Sequence, residues 1–470
     1  MIDLTEDRLT FTFPEITRQL TTLLEQHIQQ LLPTLRLPED RISLVNALVA
    51  QIEAPNATKQ FRSEPGPQRS EDTFAQSKDE PRKVARVIRK VPVYRRPPPP
   101  YEALHATARA LTAADVEKAV RARAAEIVDR HGDFAARVTF EFQQTLRIPD
   151  DGKTYPLPAS LGRFPLRSVD DFTDTIPASW VRRGGVLMPM YQSEALWINF
   201  SALYPFAVKI AAGKINTVSG EPWSPHLQRE PQNYLVLPDQ PWLDGFSVGE
   251  GLIRQFVAMP LGAGYSVEEE LTGQAEFGGI QLQAYPLSAE AYYRDEVAAE
   301  LPSSLCQLLD HFFDEHLEKN DPYRYGRCFA ALPRFAAGSM GLGAGGKMQQ
   351  EIYRDPRQFA DWDQTQTCRC FVHLCNSLVW RQVTGTNPPH PPLTAKEYQQ
   401  ARIPWFDYYR DDLKPLKGSK RLAGVKSVAQ LGQEKNSQPL PENSSIAPEL
   451  IVQYGNTRRP GEIREFLDTP

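Results

Sequence analysis

Short apolar runs separated by glycine and proline are the feature that most constrains the fold of this chain. At the start of this region Val138, Phe140 and Phe142 alternate with polar residues, as in a strand with one buried face. The later runs lack the intervening helical patterns that connect parallel strands. We therefore expect an α+β protein whose β-rich body is a largely antiparallel sheet, sandwich or barrel. The later runs begin at Gly185, Ala195, Phe206, Tyr234, Arg254, Gly279 and Cys370.

The N-terminal segment has helical rather than strand periodicity. Over residues 15–32, apolar residues recur at steps of three and four, including Ile16, Leu20 and Leu24, and Pro33 ends the pattern. A second apolar stripe over residues 39–53 predicts a second helix. We therefore predict a helical hairpin over residues 1–53.

Residues 54–100 change abruptly in composition toward Ser, Pro, Gln and charged residues, which predicts a disordered linker. Its end is basic: Arg82 to Arg96 contains seven basic residues and no acid, followed by four prolines. This pattern is typical of a docking segment for an acidic protein, RNA or a membrane surface. A solvated linker or an edge strand explains it equally simply.

The rest of the chain divides into two further regions. Residues 101–432 are predicted to form the β-rich main domain with flanking helices, one of them within residues 303–320, where leucines and phenylalanines form an apolar stripe. Residues 433–470 are polar and rich in Asn, Ser, Gln and Pro, so we expect a poorly ordered tail.

Charge and composition exclude several classes of protein. The chain has 53 basic and 58 acidic side chains and a net charge of −5, so it offers no global attraction for nucleic acid. No run reaches the roughly 18 apolar residues of a membrane-spanning helix, and the acidic N-terminus does not resemble a secretory signal. Five cysteines in 470 residues argue against a disulfide framework. We expect a cytoplasmic protein.

A glycine-rich run between residues 338 and 348 partly matches two phosphate-binding motifs. Gly341, Gly343 and Gly346 fit the dinucleotide pattern, and Gly341, Gly346 and Lys347 fit a P-loop. Met348 stands where a P-loop needs Ser or Thr, and Pro356 leaves no room for the long helix that either motif requires. The run therefore predicts a structural loop, or a loop that binds some other anion through N–H groups, including that of Gly345, and through Lys347.

Three further residues are candidates for the same site. Asp244 and Arg254 lie in a turn-rich passage, and Glu268 follows soon after it. Such loops on a rigid sheet often bind ligands, and these side chains could converge with Lys347. Structural ion pairing is the competing interpretation. The sequence predicts no metal site and identifies neither a cofactor nor a catalytic residue.

Several long motifs resemble a family of uncharacterised bacterial and fungal proteins over roughly residues 185–430. The resemblance implies a shared module, but that family has no assigned activity and supplies no catalytic residues. The motifs are the stretches 190–197, 204–215, 240–245, 254–262, 270–273, 340–348 and 404–407.

The sequence leaves two functions open. The modular organisation, the basic linker and the absence of a complete catalytic motif favour a macromolecular interaction module whose protein partner binds residues 1–100. Nucleic acid could bind only through Arg82–Arg96. The alternative is an enzyme or sensor that binds a phosphate- or carboxylate-bearing ligand at Gly341–Lys347.

Overall fold

The computed structural model describes residues 1–31, 122, 136–297, 339–388, 391–410, 412–436 and 443–455. Within these ranges the strands form a 17-stranded sheet and a three-stranded sheet. The strands are β1 (Ile2–Leu4), β2 (Leu9–Thr12), β3 (Arg137–Thr145), β4 (Thr154–Tyr155), β5 (Leu157–Pro158), β6 (Ser160–Arg163), β7 (Arg167–Ser168), β8 (Val186–Met190), β9 (Ala195–Ala202), β10 (Phe206–Ala212), β11 (Ile215–Asn216), β12 (Leu235–Leu237), β13 (Trp242–Leu243), β14 (Gly245–Gly249), β15 (Leu252–Pro260), β16 (Ile280–Pro286), β17 (Ser339–Gln349), β18 (Cys368–Asn376), β19 (Trp405–Tyr409) and β20 (Ile451–Gly455).

The helices are few and mostly short. They are α1 (Pro14–Leu31), α2 (Ala178–Arg183), α3 (Val267–Thr272), α4 (Ala289–Tyr292), α5 (Ser377–Thr384), α6 (Ala395–Gln400), α7 (Lys420–Ala423) and α8 (Val428–Glu434). A π-helical turn, Tyr293–Val297, and two 3-10 turns, Val169–Phe172 and Phe359–Asp361, complete the set in the described ranges. Short helices between long strands agree with the predicted β-rich α+β class.

The large sheet is mostly antiparallel, as predicted. Its main ladder runs β1–β2–β3–β9–β15–β17–β18–β16–β10–β12, and every pair in that order is antiparallel. Parallel pairs join β4 to β17 and β8 to β18. The apolar runs read from the sequence form β3, β8, β9, β10, β12, β15, β16 and β18, so these strand predictions are confirmed.

Alternation along β3 and β9 separates a core face from a polar face. Phe140 lies opposite Phe200 in the register, and both belong to the main hydrophobic core. Glu141, between the core positions of β3, lies on the other face opposite Asn199. Successive side chains of a strand point to opposite faces of the sheet. This single register therefore puts Phe140 and Phe200 on the core face, and Glu141 and Asn199 on the polar face.

The N-terminal segment joins the body. β1 and β2 form a strand hairpin that extends the large sheet next to β3, and α1 follows as predicted. Ile16, Leu20 and Leu24 on α1 pack into the main core. The predicted helical hairpin is not confirmed, because residues 1–12 are largely strand and the second predicted helix, 39–53, lies outside the described residues. The predicted linker, 54–100, and the predicted helix at 303–320 also lie outside them.

A second, smaller core lies beneath the three-stranded sheet of β5, β19 and β20. Trp405, Tyr398 and Tyr155 pack together there, with ring centroids of Trp405 at 5.3 Å from Tyr398 and 6.1 Å from Tyr155. β20 pairs in parallel with β19. Ile451–Gly455 thus forms a strand within residues 433–470, which the sequence analysis assigns to the tail.

Candidate functional site

The glycine-rich run is a strand, not a loop. It forms β17, which pairs along most of its length with β15 in the middle of the large sheet. None of Gly341, Gly343, Gly345 and Gly346 has a φ angle in the left-handed region, which a backbone nest for an anion requires. The loop prediction is wrong, and ligand binding at this run gains no support from its backbone.

These glycines instead allow neighbouring chain to lie close against the sheet. A Cβ on Gly346 would lie 2.6 Å from the carbonyl oxygen of Pro149 and 2.8 Å from Cγ2 of Ile148. A Cβ on Gly343 would lie 2.7 Å from both the carbonyl oxygen of Tyr265 and Cγ2 of Val428. Real Cβ atoms do not approach other atoms this closely, so the run is glycine-rich because both faces of β17 are covered.

Replacing Gly346 with alanine should therefore destabilise the protein by about 1–3 kcal/mol, the usual cost of overpacking a core. The backbone at Pro149 would have to move, because it cannot rotate away as a side chain can. Urea denaturation measures the loss. Gly249→Ala is the matched control, since its Cβ would make only an ordinary 3.5 Å contact with Leu252. Equal stabilities of the two variants would contradict this account.

A β-bulge at Gly345 and Gly346 adds a residue to β17. Arg254 pairs with Lys347, whereas Phe256 pairs with Ala344, so two glycines oppose Gln255 alone. The Gln255 side chain is fully buried and bonds to the chain that crosses the bulge. Its Oε1 accepts from the Ile148 N–H at 2.8 Å, and its Nε2 donates to the Leu146 carbonyl at 2.8 Å. The bulge therefore anchors the segment that follows β3.

The structure brings two of the predicted site residues, Arg254 and Lys347, side by side. They face each other across β15 and β17, next to the bulge. Arg254 Nη1 donates to the Gly345 carbonyl at 3.1 Å and lies 3.5 Å from Oδ1 of Asp150. Among the described residues, no hydrogen bond or ion pair reaches the Lys347 ammonium. Arg254 thus has a structural partner, and Lys347 is a half-buried cation.

Asp244 does not pair with these cations. Its side chain is almost fully buried and accepts a hydrogen bond from Nε2 of Gln350 at 2.9 Å, while the Asp244 N–H donates to Gln350 Oε1 at 3.1 Å. Burial raises the pKa of Asp244 to about 8. An acid in this environment is held in its neutral form at neutral pH.

Glu268 does not pair with these cations either. It sits on α3 and accepts hydrogen bonds from the N–H groups of Gly278 at 2.7 Å and Phe277 at 3.2 Å. Burial raises its pKa, although these bonds oppose the shift. The predicted convergence of Glu268 with Lys347 is therefore not observed, and the carboxylate fixes the turn before β16.

The sequence analysis missed a second group, which we name the aromatic face: Trp197, Trp242 and Tyr408, with Glu141, Gln143 and Asn199 beside them. Asn199 lies opposite both Glu141 and Trp242, and Trp197 lies opposite Gln143. The Trp197 and Trp242 ring centroids are 6.2 Å apart, and those of Trp242 and Tyr408 are 5.0 Å apart. All three rings are partly exposed.

The polar part of the aromatic face is held rigidly and is balanced in charge. Glu141 accepts from Arg8 Nε at 2.7 Å and from Asn199 Nδ2 at 3.1 Å, and Arg163 Nη2 lies 3.2 Å from the same carboxylate. Arg163 also bonds Asp7 at 2.9 Å. Two arginines thus meet two acids, which leaves a preorganised surface without excess charge. Alternation along residues 139–143 and 197–201 is the sequence signal that could have located it.

A second buried acid, Glu194, stands directly before β9. Its side chain is 1% exposed and accepts from the Tyr191 N–H at 2.8 Å and from Gln144 Nε2 at 3.1 Å. Burial raises the pKa of Glu194 to about 8, despite these two bonds. Glu194 and Asp244 are thus two desolvated carboxyl groups close in sequence to the tryptophans of the aromatic face.

No group of three or more His, Cys, Asp or Glu side chains in the described ranges is placed to hold a metal ion. Of the helices in those same ranges, none combines the length and the apolar character needed to cross a membrane. Comparisons with protein-family models, with curated proteins and with solved structures gave no match. The family resemblance noted from the sequence motifs therefore stays a prediction.

Proposed function

We propose that the protein is a cytoplasmic interaction module that binds another protein through the aromatic face. The observation that carries this proposal is the row of three partly exposed rings, Trp197, Trp242 and Tyr408, on a rigid polar framework. Tryptophan, tyrosine and arginine are the residue types that dominate binding energy in protein interfaces. Their side chains here are already ordered, so binding would cost little conformational entropy.

The charges of the face favour a protein over a nucleic acid as partner. Nucleic-acid sites carry an excess of Lys and Arg because phosphate contacts dominate their affinity. Here Glu141 and Asp7 neutralise Arg8 and Arg163. The basic segment Arg82–Arg96, outside the described residues, would add a docking arm for an acidic region of the same partner; RNA or a membrane surface remains the alternative for that arm.

Alanine variants of Trp197 and Trp242 test the proposal. The partner is first captured on the immobilised full-length chain, and its dissociation constant is then measured with purified protein. Each variant should weaken binding about 30-fold or more, the effect of losing a hot-spot residue of about 2 kcal/mol. Thermal melts confirm that each variant is folded.

Two further variants sharpen this test. Leu378→Ala removes an exposed apolar side chain on α5, a different element, and should leave the affinity unchanged. Deleting residues 54–100 should weaken binding if that segment is a docking arm. Unchanged affinity of folded W197A and W242A chains would overturn the role of the aromatic face.

A second candidate function is an enzyme or sensor that binds a phosphate- or carboxylate-bearing ligand at Lys347. It is favoured by one observation: Lys347 is without a partner in the described part of the chain and faces Arg254 across the ladder. Opposed like charges destabilise a sheet; Asp150 offsets the charge of Arg254, and a bound anion would do the same for Lys347.

Thermal shift with nucleotides, sugar phosphates and carboxylates tests this alternative. A ligand at 100 times its dissociation constant stabilises the folded state by about 2.7 kcal/mol. The Lys347→Ala variant should lose that stabilisation while keeping the melting temperature of the ligand-free protein. A shift that persists in the variant places the ligand elsewhere, and no shift with any ligand argues against the function.

A further inference from the structure

Two strands meet end to end along one edge of β15, at a point that we call the junction. β9 pairs with β15 only at Phe256 and Val257, and β14 takes over the same edge from Gln255. Beyond that point β9 pairs with β13 instead, through Ile198 and Asn199. The sheet therefore divides here into two branches: β15 with β14, and β9 with β13, and the second branch carries both Trp197 and Trp242.

A buried acid stands on each side of this division, Glu194 directly before β9 and Asp244 between β13 and β14. The Glu194 carbonyl accepts from the Ala258 N–H at 2.8 Å, and the Asp244 carbonyl accepts from the Phe256 N–H at 3.1 Å. Trp197 follows Glu194 by three residues, and Trp242 precedes Asp244 by two. The backbones that carry the two acids therefore also carry the two rings.

Both carboxyl groups are bonded only to amide donors. Glu194 bonds the Tyr191 N–H and Gln144, and Asp244 bonds Gln350. No cation in the described ranges pairs with either acid. The charged and titratable side chains around the junction include Glu141 on β3, Arg147 and Asp150 after it, Tyr191 in the turn before β9, Arg254 on β15, and Lys347 and Glu351 on and after β17.

We propose that the junction is a proton-linked switch: Glu194 and Asp244 are neutral when the β9–β13 branch is closed on β15, and their ionisation moves that branch, with Trp197 and Trp242, away from β15. Partner binding through the aromatic face would then weaken as the pH rises. This second step rests on the proposed function, whereas the movement itself does not.

The cost of burying charge is the physical reason. An ionised carboxylate needs a cation, several strong donors or water, and each acid here has only one or two amide donors. The raised pKa of each group, about 8 for both, agrees with this geometry. Once ionised, each carboxylate is stabilised most by contact with water. Water reaches it most easily at the junction, where the strand pairing is already divided.

Tryptophan fluorescence of the full-length chain between pH 6 and 10 tests the switch without a partner. The Trp223→Phe background is needed because Lys209 lies 4.9 Å from the Trp223 ring, and burial lowers the pKa of Lys209 to about 8. This background should show a transition near pH 8. The E194Q/D244N chain should lack it, whereas Glu221→Gln, at an exposed ion pair with Arg421, should keep it.

Two outcomes would overturn the switch: absence of the transition in the background chain, or its survival in E194Q/D244N. Replacing Trp197 and Trp242 with phenylalanine should remove most of its amplitude, and full amplitude would exclude movement of the aromatic face. With a captured partner, affinity should fall at least tenfold from pH 6.5 to pH 9.5 in the wild-type chain but not in E194Q/D244N. If the fluorescence transition is observed but no partner is captured, the proposed function is contradicted, whereas the proton-linked movement is supported.

Discussion

Above about pH 5, the Glu194→Gln and Asp244→Asn variants should become steadily more stable than the wild-type chain. The pKa of each acid is about 8 in the folded protein, against ordinary values of 4.5 for Glu and 3.8 for Asp. Between those values the folded state binds a proton that the unfolded state has lost. Raising the pH therefore favours unfolding, by up to about 1.4 kcal/mol per pH unit for each group.

The sign of this effect is opposite to that of an ion-paired carboxylate. The stabilisation from each neutral acid is complete below its ordinary pKa and is lost as the pH rises to about 8. Glutamine and asparagine keep the shape of the neutral acids and do not titrate, and the hydrogen bond that Gln gives up at Glu194 is lost equally at every pH. Urea denaturation at pH 5, 6, 7 and 8 measures the difference from wild type, which should shift in favour of the variants as the pH rises and be largest at pH 8. A difference independent of pH would show that neither acid is protonated when folded.

Replacing Asp355 with alanine should cost about 3 kcal/mol or more, because it leaves several buried donors without an acceptor. The Asp355 side chain is 2% exposed. Its Oδ2 accepts from the Tyr234 hydroxyl at 2.6 Å and from Trp362 Nε1 at 2.8 Å, and its Oδ1 accepts from the Arg357 N–H at 2.9 Å. These bonds tie the segment after β17 to the strand region around β12.

Two variants control for this prediction. Asp355→Asn keeps the volume but turns one acceptor into a donor, so its loss of stability should be intermediate. Asp363→Ala removes a partly exposed carboxylate that caps a turn through Thr365, and should cost about 1 kcal/mol or less. Denaturant midpoints at unchanged slope provide the comparison. If D355A were no less stable than D363A, the buried network would not be a major source of stability.

The strands and the helix that could be predicted are those whose apolar residues recur with strand or helix periodicity. Val138, Phe140 and Phe142 alternate because one face of β3 meets the core, and Ile16, Leu20 and Leu24 recur at helical spacing because one face of α1 does. Each pattern is complete within a few residues, so no distant contact is needed to recognise it. The sequence also singled out Arg254 and Lys347, which do lie together, although not with Glu268.

The sequence by itself determined where the body forms strands and where α1 forms a helix, since the periodic spacing of apolar residues can be recognised within a short stretch of sequence. Only the tertiary structure decided that Gly341–Gly346 is a central strand, because glycine has no side chain to show alternation and the crowding segment, Ile148–Pro149, is far away in sequence. The same holds for the aromatic face. Trp197, Trp242 and Tyr408 come from three separate parts of the chain, and pairing of β9 with β13 and packing of β19 beside them bring the rings together.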